Sequence, residues 1–119
     1  MPSIKERIPD LLQLKTHPDI SNILDGISEF VKSEGRDVST HQVRRIYNEV
    51  KKADNRIALH LLRPKIVYTI ARGKDKDKEE RFLSFLEKVL KEVKTDAQVE
   101  DYVTFMESVV AYHKFHFNK

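Results

Sequence analysis

The side chains best placed to do chemistry in this sequence are cations. Between positions 36 and 74 stand ten of them, Arg36, Arg44, Arg45, Lys51, Lys52, Arg56, Arg63, Lys65, Arg72 and Lys74, against three acids, Asp37, Glu49 and Asp54. This part therefore carries +7, and because the whole 119-residue chain carries +3, the remainder carries −4. Such one-sidedness suits a polyanionic partner, since phosphate neutralisation is the main sequence-independent source of nucleic-acid affinity. Asn48, Asn55, Thr69 and Tyr68 place neutral donors among the cations. Arginine and lysine mixed with small amides suit a ribose-phosphate track better than salt-bridge decoration, which needs matching acids. The plainer alternative is that these cations only solvate helix surfaces.

Other chemistries find less support. With no cysteine, disulfides, zinc-thiolate sites and thiol nucleophiles are excluded. His113 and His116 have a spacing compatible with two metal ligands, but no third histidine or carboxylate stands near them, so packing among aromatic neighbours is the expected role. His17, His41 and His60 are isolated and read as surface or capping residues. The acids of "DKDKEE" lack the glycine and terminal glutamate of a calcium loop, and Gly73-Lys74 has none of the phosphate-loop pattern. No serine, histidine and carboxylate come together as a triad from the sequence. The chain thus reads as a non-enzyme, with no cofactor and no metal. Its N-terminus has no apolar core of signal-peptide length, and no window approaches the ~20 apolar residues of a membrane span, which fits a cytoplasmic protein.

The elements that must position the cations are helical. Three glycines and four prolines are few for this length, and good helix formers are common, so one all-α domain over residues 1–119 is expected, a compact bundle of about five helices. In residues 19–34, Ile20, Ile23, Leu24, Ile27, Phe30 and Val31 recur at helical spacing, and Gly35 follows where a left-handed residue would stop the helix. Ser39 and Gln42 form a capping box that opens the next helix. There Val43, Ile46, Tyr47, Val50 and Ala53 make an apolar stripe, while Arg44, Asn48, Lys51, Lys52 and Asn55 fall within about 100° of one another. A short helical turn is expected over residues 56–62, after which Pro64 starts a new helix or kinks a longer one. Lys65, Thr69 and Arg72 then share one face, with Tyr68 at its edge and Ile66, Val67, Ile70 and Ala71 opposite.

"GKDKDKEE" reads as a turn, with Gly73 ending one helix and Asp75 or Asp77 capping the next. Phe82, Leu83, Phe85, Leu86, Val89, Leu90 and Val93 face inward from that helix. A last helix runs from Thr95 or Asp96 to about His116, and its apolar residues spread beyond one stripe, as in a central helix or a subunit contact. Residues 1–18 give a weaker signal, in which Ile8, Leu11, Leu12 and Leu14 form a short helix after Pro9.

Three blocks, "STHQVRRIYNEVKKA", "LRPKIVYTIAR" and "FMESVVAYHKF", resemble in order and spacing the signature blocks of the small subunit of type III-A CRISPR effector (Csm) complexes. The resemblance covers roughly residues 39–115. It implies an all-helical, non-catalytic protein of the prokaryotic cytoplasm, acting in antiviral defence. Several copies would line an RNA-guided ribonucleoprotein along the crRNA and target single-stranded RNA, beside backbone subunits and a large polymerase-like subunit. Carried onto this chain, its RNA-binding positions are Arg44 and Arg45 in the first block and Arg63, Lys65 and Arg72 in the second; the helical wheel adds Lys51 and Lys52. Val109, Tyr112, His113, Lys114, Phe115 and Tyr47 are expected to be structural, with self-association through the last helix. The competing reading is a helical adaptor whose cations meet an acidic protein. A DNA-binding regulator is a third, but "HQVRRIYNEVKK" has no clear helix-turn-helix partner.

Overall fold

Residues 3–72 and 76–117 are described by the structure, a computed structural model. Among these described residues seven α-helices follow in order: α1 (Ile8–Leu11), α2 (Ile20–Glu34), α3 (Thr40–Lys51), α4 (Arg56–His60), α5 (Arg63–Arg72), α6 (Lys76–Lys91) and α7 (Asp96–Phe117), with two 3-10 turns flanking α1. No strand occurs among the described residues. Five of the helices have ten residues or more. They form one all-α bundle, as the composition predicts.

The long α7 is the axis of the fold. It takes α2 and α3 along its length and α4 and the N-terminal segment near its start, which is why its apolar residues are not confined to one stripe. Thr95 caps it by accepting from the Gln98 N–H at 3.2 Å. α6 meets α2 and α4, and α5 lies along α6 at the edge of the bundle. Phe30 stacks on Phe82 at 5.2 Å and tilts against Phe85 at 4.8 Å, which ties α2 to α6. Tyr102 of α7 is fully buried, and its hydroxyl donates to the Leu86 carbonyl at 2.8 Å. That bond satisfies the one polar atom of a ring whose burial contributes roughly 2–3 kcal/mol. Burial also pushes the Tyr102 hydroxyl pKa well above its usual value.

The inward set of α6, from Phe82 to Leu90, is buried as expected, and so is Val93, two residues past the helix end. The capping box of α3 forms in full: the Gln42 N–H donates to Ser39 Oγ at 3.0 Å, and the Ser39 N–H donates to Gln42 Oε1 at 2.9 Å. Pro64 starts a new helix, at the second position of α5, where its missing N–H costs nothing.

Several expectations change. Gly35 ends α2 with φ −92° and ψ −2°, so it is not left-handed. Glycine is needed there for room: a Cβ would lie 2.7 Å from the Val31 carbonyl oxygen, 3.1 Å from His113 and 3.2 Å from Phe82. α3 stops at Lys51, so Asn55 belongs instead to α4, which it caps by accepting from the Ala58 N–H at 2.9 Å. Asp77 lies inside α6, where its carboxylate favours the positive end of the helix dipole; Gly73, Lys74 and Asp75 lie outside the described residues. On α5, Ile66 is buried and Ile70 half-buried, but Val67 and Ala71 are exposed, because α6 covers only part of that arc.

α1 includes Pro9 in its first turn rather than following it. The N-terminal segment is firmly part of the core, with Ile4, Ile8, Leu11, Leu12 and Leu14 buried. Lys5 bonds Glu34 of α2 at 2.7 Å, and the Lys15 N–H donates to Asp101 of α7 at 3.0 Å. His17 bonds Asp10 at 2.8 Å and, with Arg7, holds that carboxyl below its ordinary pKa.

Candidate nucleic-acid interface

α5 leans on α6 and stands off from α3, and the gap between α3 and α5 is a half-open groove of about 470 Å³. Ile46, Leu62 and Ile66 contribute its apolar lining. From α3 come Gln42, Arg45 and Glu49, spaced three and four residues apart on one side of the helix. From α5 come Lys65, Tyr68, Thr69 and Arg72. The cation face expected on α5 is therefore real and borders a concave surface.

Glu49 is the acid of this groove. Its Oε2 lies 3.9 Å from Lys65 Nζ and 4.0 Å from Lys52 Nζ, although Lys52 is not part of the groove lining. Both lysines are largely exposed, and contacts of this length and exposure contribute about 0–1 kcal/mol. A phosphate could displace the carboxylate at little cost. Thr69 donates to the Lys65 carbonyl at 2.9 Å, which leaves its oxygen lone pairs facing outward from the helix turn. The Arg72 guanidinium sits over the Tyr68 ring, 5.4 Å from its centre. Tyr68 itself is exposed, so it does not close the core.

The other expected RNA-binding positions are distributed as follows. Arg45, which the helical wheel leaves outside the cation face of α3, lines the groove. Arg44 and Lys51 are exposed but do not line the groove, and Lys51 instead lies 5.2 Å from the centre of the Tyr47 ring. Tyr47 in turn donates to Glu107 of α7 at 3.1 Å, and burial, with that carboxylate, raises its pKa. Arg63 is on the other side of α5, where its Nε donates to Glu87 of α6 at 2.9 Å. It serves to hold α5 on α6 and is not with the groove cations.

A family model described as Csm2 Type III-A matches residues 18–119. The chain belongs to that family. No curated protein and no solved structure matches it. Csm2 is the small structural subunit of type III-A CRISPR Csm complexes, so other Csm subunits are its partners. The match begins upstream of the three sequence blocks and takes in the whole of α2. No helix among the described residues of this Csm2-family chain is long and apolar enough to cross a membrane.

In the Csm2-family fold the two histidines of α7 have separate duties. His113 is fully buried between Thr40 and Gly35, and His116 bonds Ser28 of α2 at 2.9 Å. His60 donates to the Val93 carbonyl at 2.7 Å and His17 accepts from the Asp19 N–H at 2.9 Å. One residue of the site's surroundings carried no sequence signal. Glu79, in the acidic run that reads as a turn, is buried in the first turn of α6; the Gln42 side chain donates to its Oε1 at 3.4 Å, and its Oε2 has no hydrogen-bond partner among the described residues. Gln42 thus both caps α3 and joins it to α6 at the end of the groove.

Proposed function

We propose that this Csm2-family chain is a non-catalytic small subunit of a prokaryotic, cytoplasmic RNA-guided interference complex, and that it holds crRNA or target RNA by the sugar-phosphate backbone. The α3–α5 groove is the contact, with Arg45, Lys65 and Arg72 on phosphates, Lys52 at the entrance and Thr69 near the ribose. The observation that carries this reading is that cations from two different helices converge on one concave surface whose lining contains one acid. Base pairing between guide and target supplies sequence specificity, so the protein contacts the backbone and is indifferent to base identity. One subunit binds weakly, and repetition along the filament supplies avidity. Contacts between copies steady the filament; Phe115, 79% exposed on α7, is suited to that role.

Glu49 gives the reading a test in which binding should improve. Glu49→Gln keeps the shape and removes the one negative charge of the groove, so affinity for a single-stranded RNA at low salt rises about threefold to fivefold. Anisotropy titration measures it. An unchanged or weaker affinity would mean that the polyanion does not lie in this groove. Persistence of partner binding after ribonuclease treatment would favour the adaptor reading, in which the same cations meet an acidic protein.

A further inference from the structure

α5 has three strips. Ile66 and Ile70 face the core; Lys65, Thr69 and Arg72 face the groove; and a third strip, Pro64, Val67, Tyr68 and Ala71, is apolar and exposed. It is continued by Leu61, 68% exposed at the end of α4. Tyr68, 62% exposed, borders both sides: it lines the cationic groove and also the shallow depression on the far side of α5 formed with Pro64, Val67 and Ala71. Its ring is a ridge between a phosphate-seeking surface and an apolar one.

From this juxtaposition we propose that the ligand of α5 is an unpaired RNA segment, with a base stacked on Tyr68 while its flanking phosphates lie on Lys65 and Arg72. The inference rests on the groove being the RNA track and adds the state of the strand that it takes. Two features together select this occupant. The cations call for a polyanion, and an exposed aromatic ring immediately beside them calls for a flat apolar face on that same polyanion. A paired duplex turns its base faces inward and offers only rails; an unpaired strand offers both, and stacking of a base on an aromatic side chain is indifferent to which base it is. Arg72, already over the Tyr68 ring, can hold the ring in place and still reach a phosphate.

The test titrates one RNA sequence, as a single strand and as a duplex, against wild type, Tyr68→Ala, Tyr68→Phe and the triple variant Arg45→Ala/Lys65→Ala/Arg72→Ala at low salt. Tyr68→Ala is expected to weaken single-strand binding about tenfold and duplex binding by no more than about twofold, while Tyr68→Phe, which keeps the ring, binds both like wild type. If Tyr68→Ala binds the single strand like wild type and the triple variant does not, the stacking inference fails and the groove stands. Where the triple variant also binds like wild type, both fail. Equal losses on single strand and duplex would make the ring merely a groove wall, and overturn the inference. So would loss of self-association by sedimentation with RNA affinity intact, which would give the apolar strip to a second copy.

Discussion

Replacing His113 by alanine is expected to lower the unfolding free energy by about 3–5 kcal/mol, a large share of the stability of a domain this size. The imidazole is fully buried and uses both nitrogens. Nε2 faces the Gly35 carbonyl at 2.8 Å, which can only accept, so Nε2 carries the proton; the Thr40 hydroxyl lies 2.7 Å from Nδ1. Phe82 and Phe117 pack at 6.0 and 4.8 Å from its centre. Removing the ring leaves a cavity, takes its partner from the buried Thr40 hydroxyl and leaves the Gly35 carbonyl with the Val38 N–H, at 3.2 Å, in place of two donors. Urea unfolding measures the effect as a fall in midpoint with an unchanged slope. A loss below about 1 kcal/mol would mean that the site is reached by water or repacks freely. The same contact joins the end of α2 and the start of α3 to α7, so it also sets the position from which Arg45 reaches the groove.

The triple variant Arg45→Ala/Lys65→Ala/Arg72→Ala is expected to lose affinity for single-stranded RNA on the order of a hundredfold at low salt. All three side chains are exposed, none belongs to the core, and the circular dichroism spectrum and unfolding midpoint stay near those of wild type. The control is a pair of equal chemistry in a different place. Arg44→Ala/Lys51→Ala removes two cations that do not line the groove, and affinity changes by no more than about threefold. Were the two variants to lose affinity equally per charge removed, binding would follow net charge and not the groove.

How far the sequence reaches is clearest on α3 and α5. Ser39 and Gln42 announced the start of α3 because a capping box is a local bargain between neighbouring residues, and local interactions survive into the fold. The wheel correctly put Lys65, Thr69 and Arg72 together on α5 because their angular relation depends on helix geometry alone. It put Val67 and Ala71 on the inward arc and left Arg45 outside the cation face of α3 for a common reason: periodicity gives angles around one helix but not which neighbour covers which arc. α6 covers the Ile66 side of α5 and leaves Val67 exposed, and the groove between α3 and α5 is lined by Arg45 and not by Arg44. Gly35 shows the same limit. Its place at the end of α2 was legible, but the reason for a glycine is the approach of Phe82 and His113 from distant helices, which no neighbouring residue reports. Glu79 was hidden in an acidic run because its partner, Gln42, comes from another helix.

The most direct measurement is the dependence of RNA affinity on salt, for wild type and for the triple groove variant. Three phosphate contacts on a single strand give a slope of about −2 when log affinity is plotted against log salt, and removing the three cations brings the slope close to zero. Parallel lines for the two proteins would show that the released counterions come from elsewhere on the surface, and would contradict the groove as the RNA track.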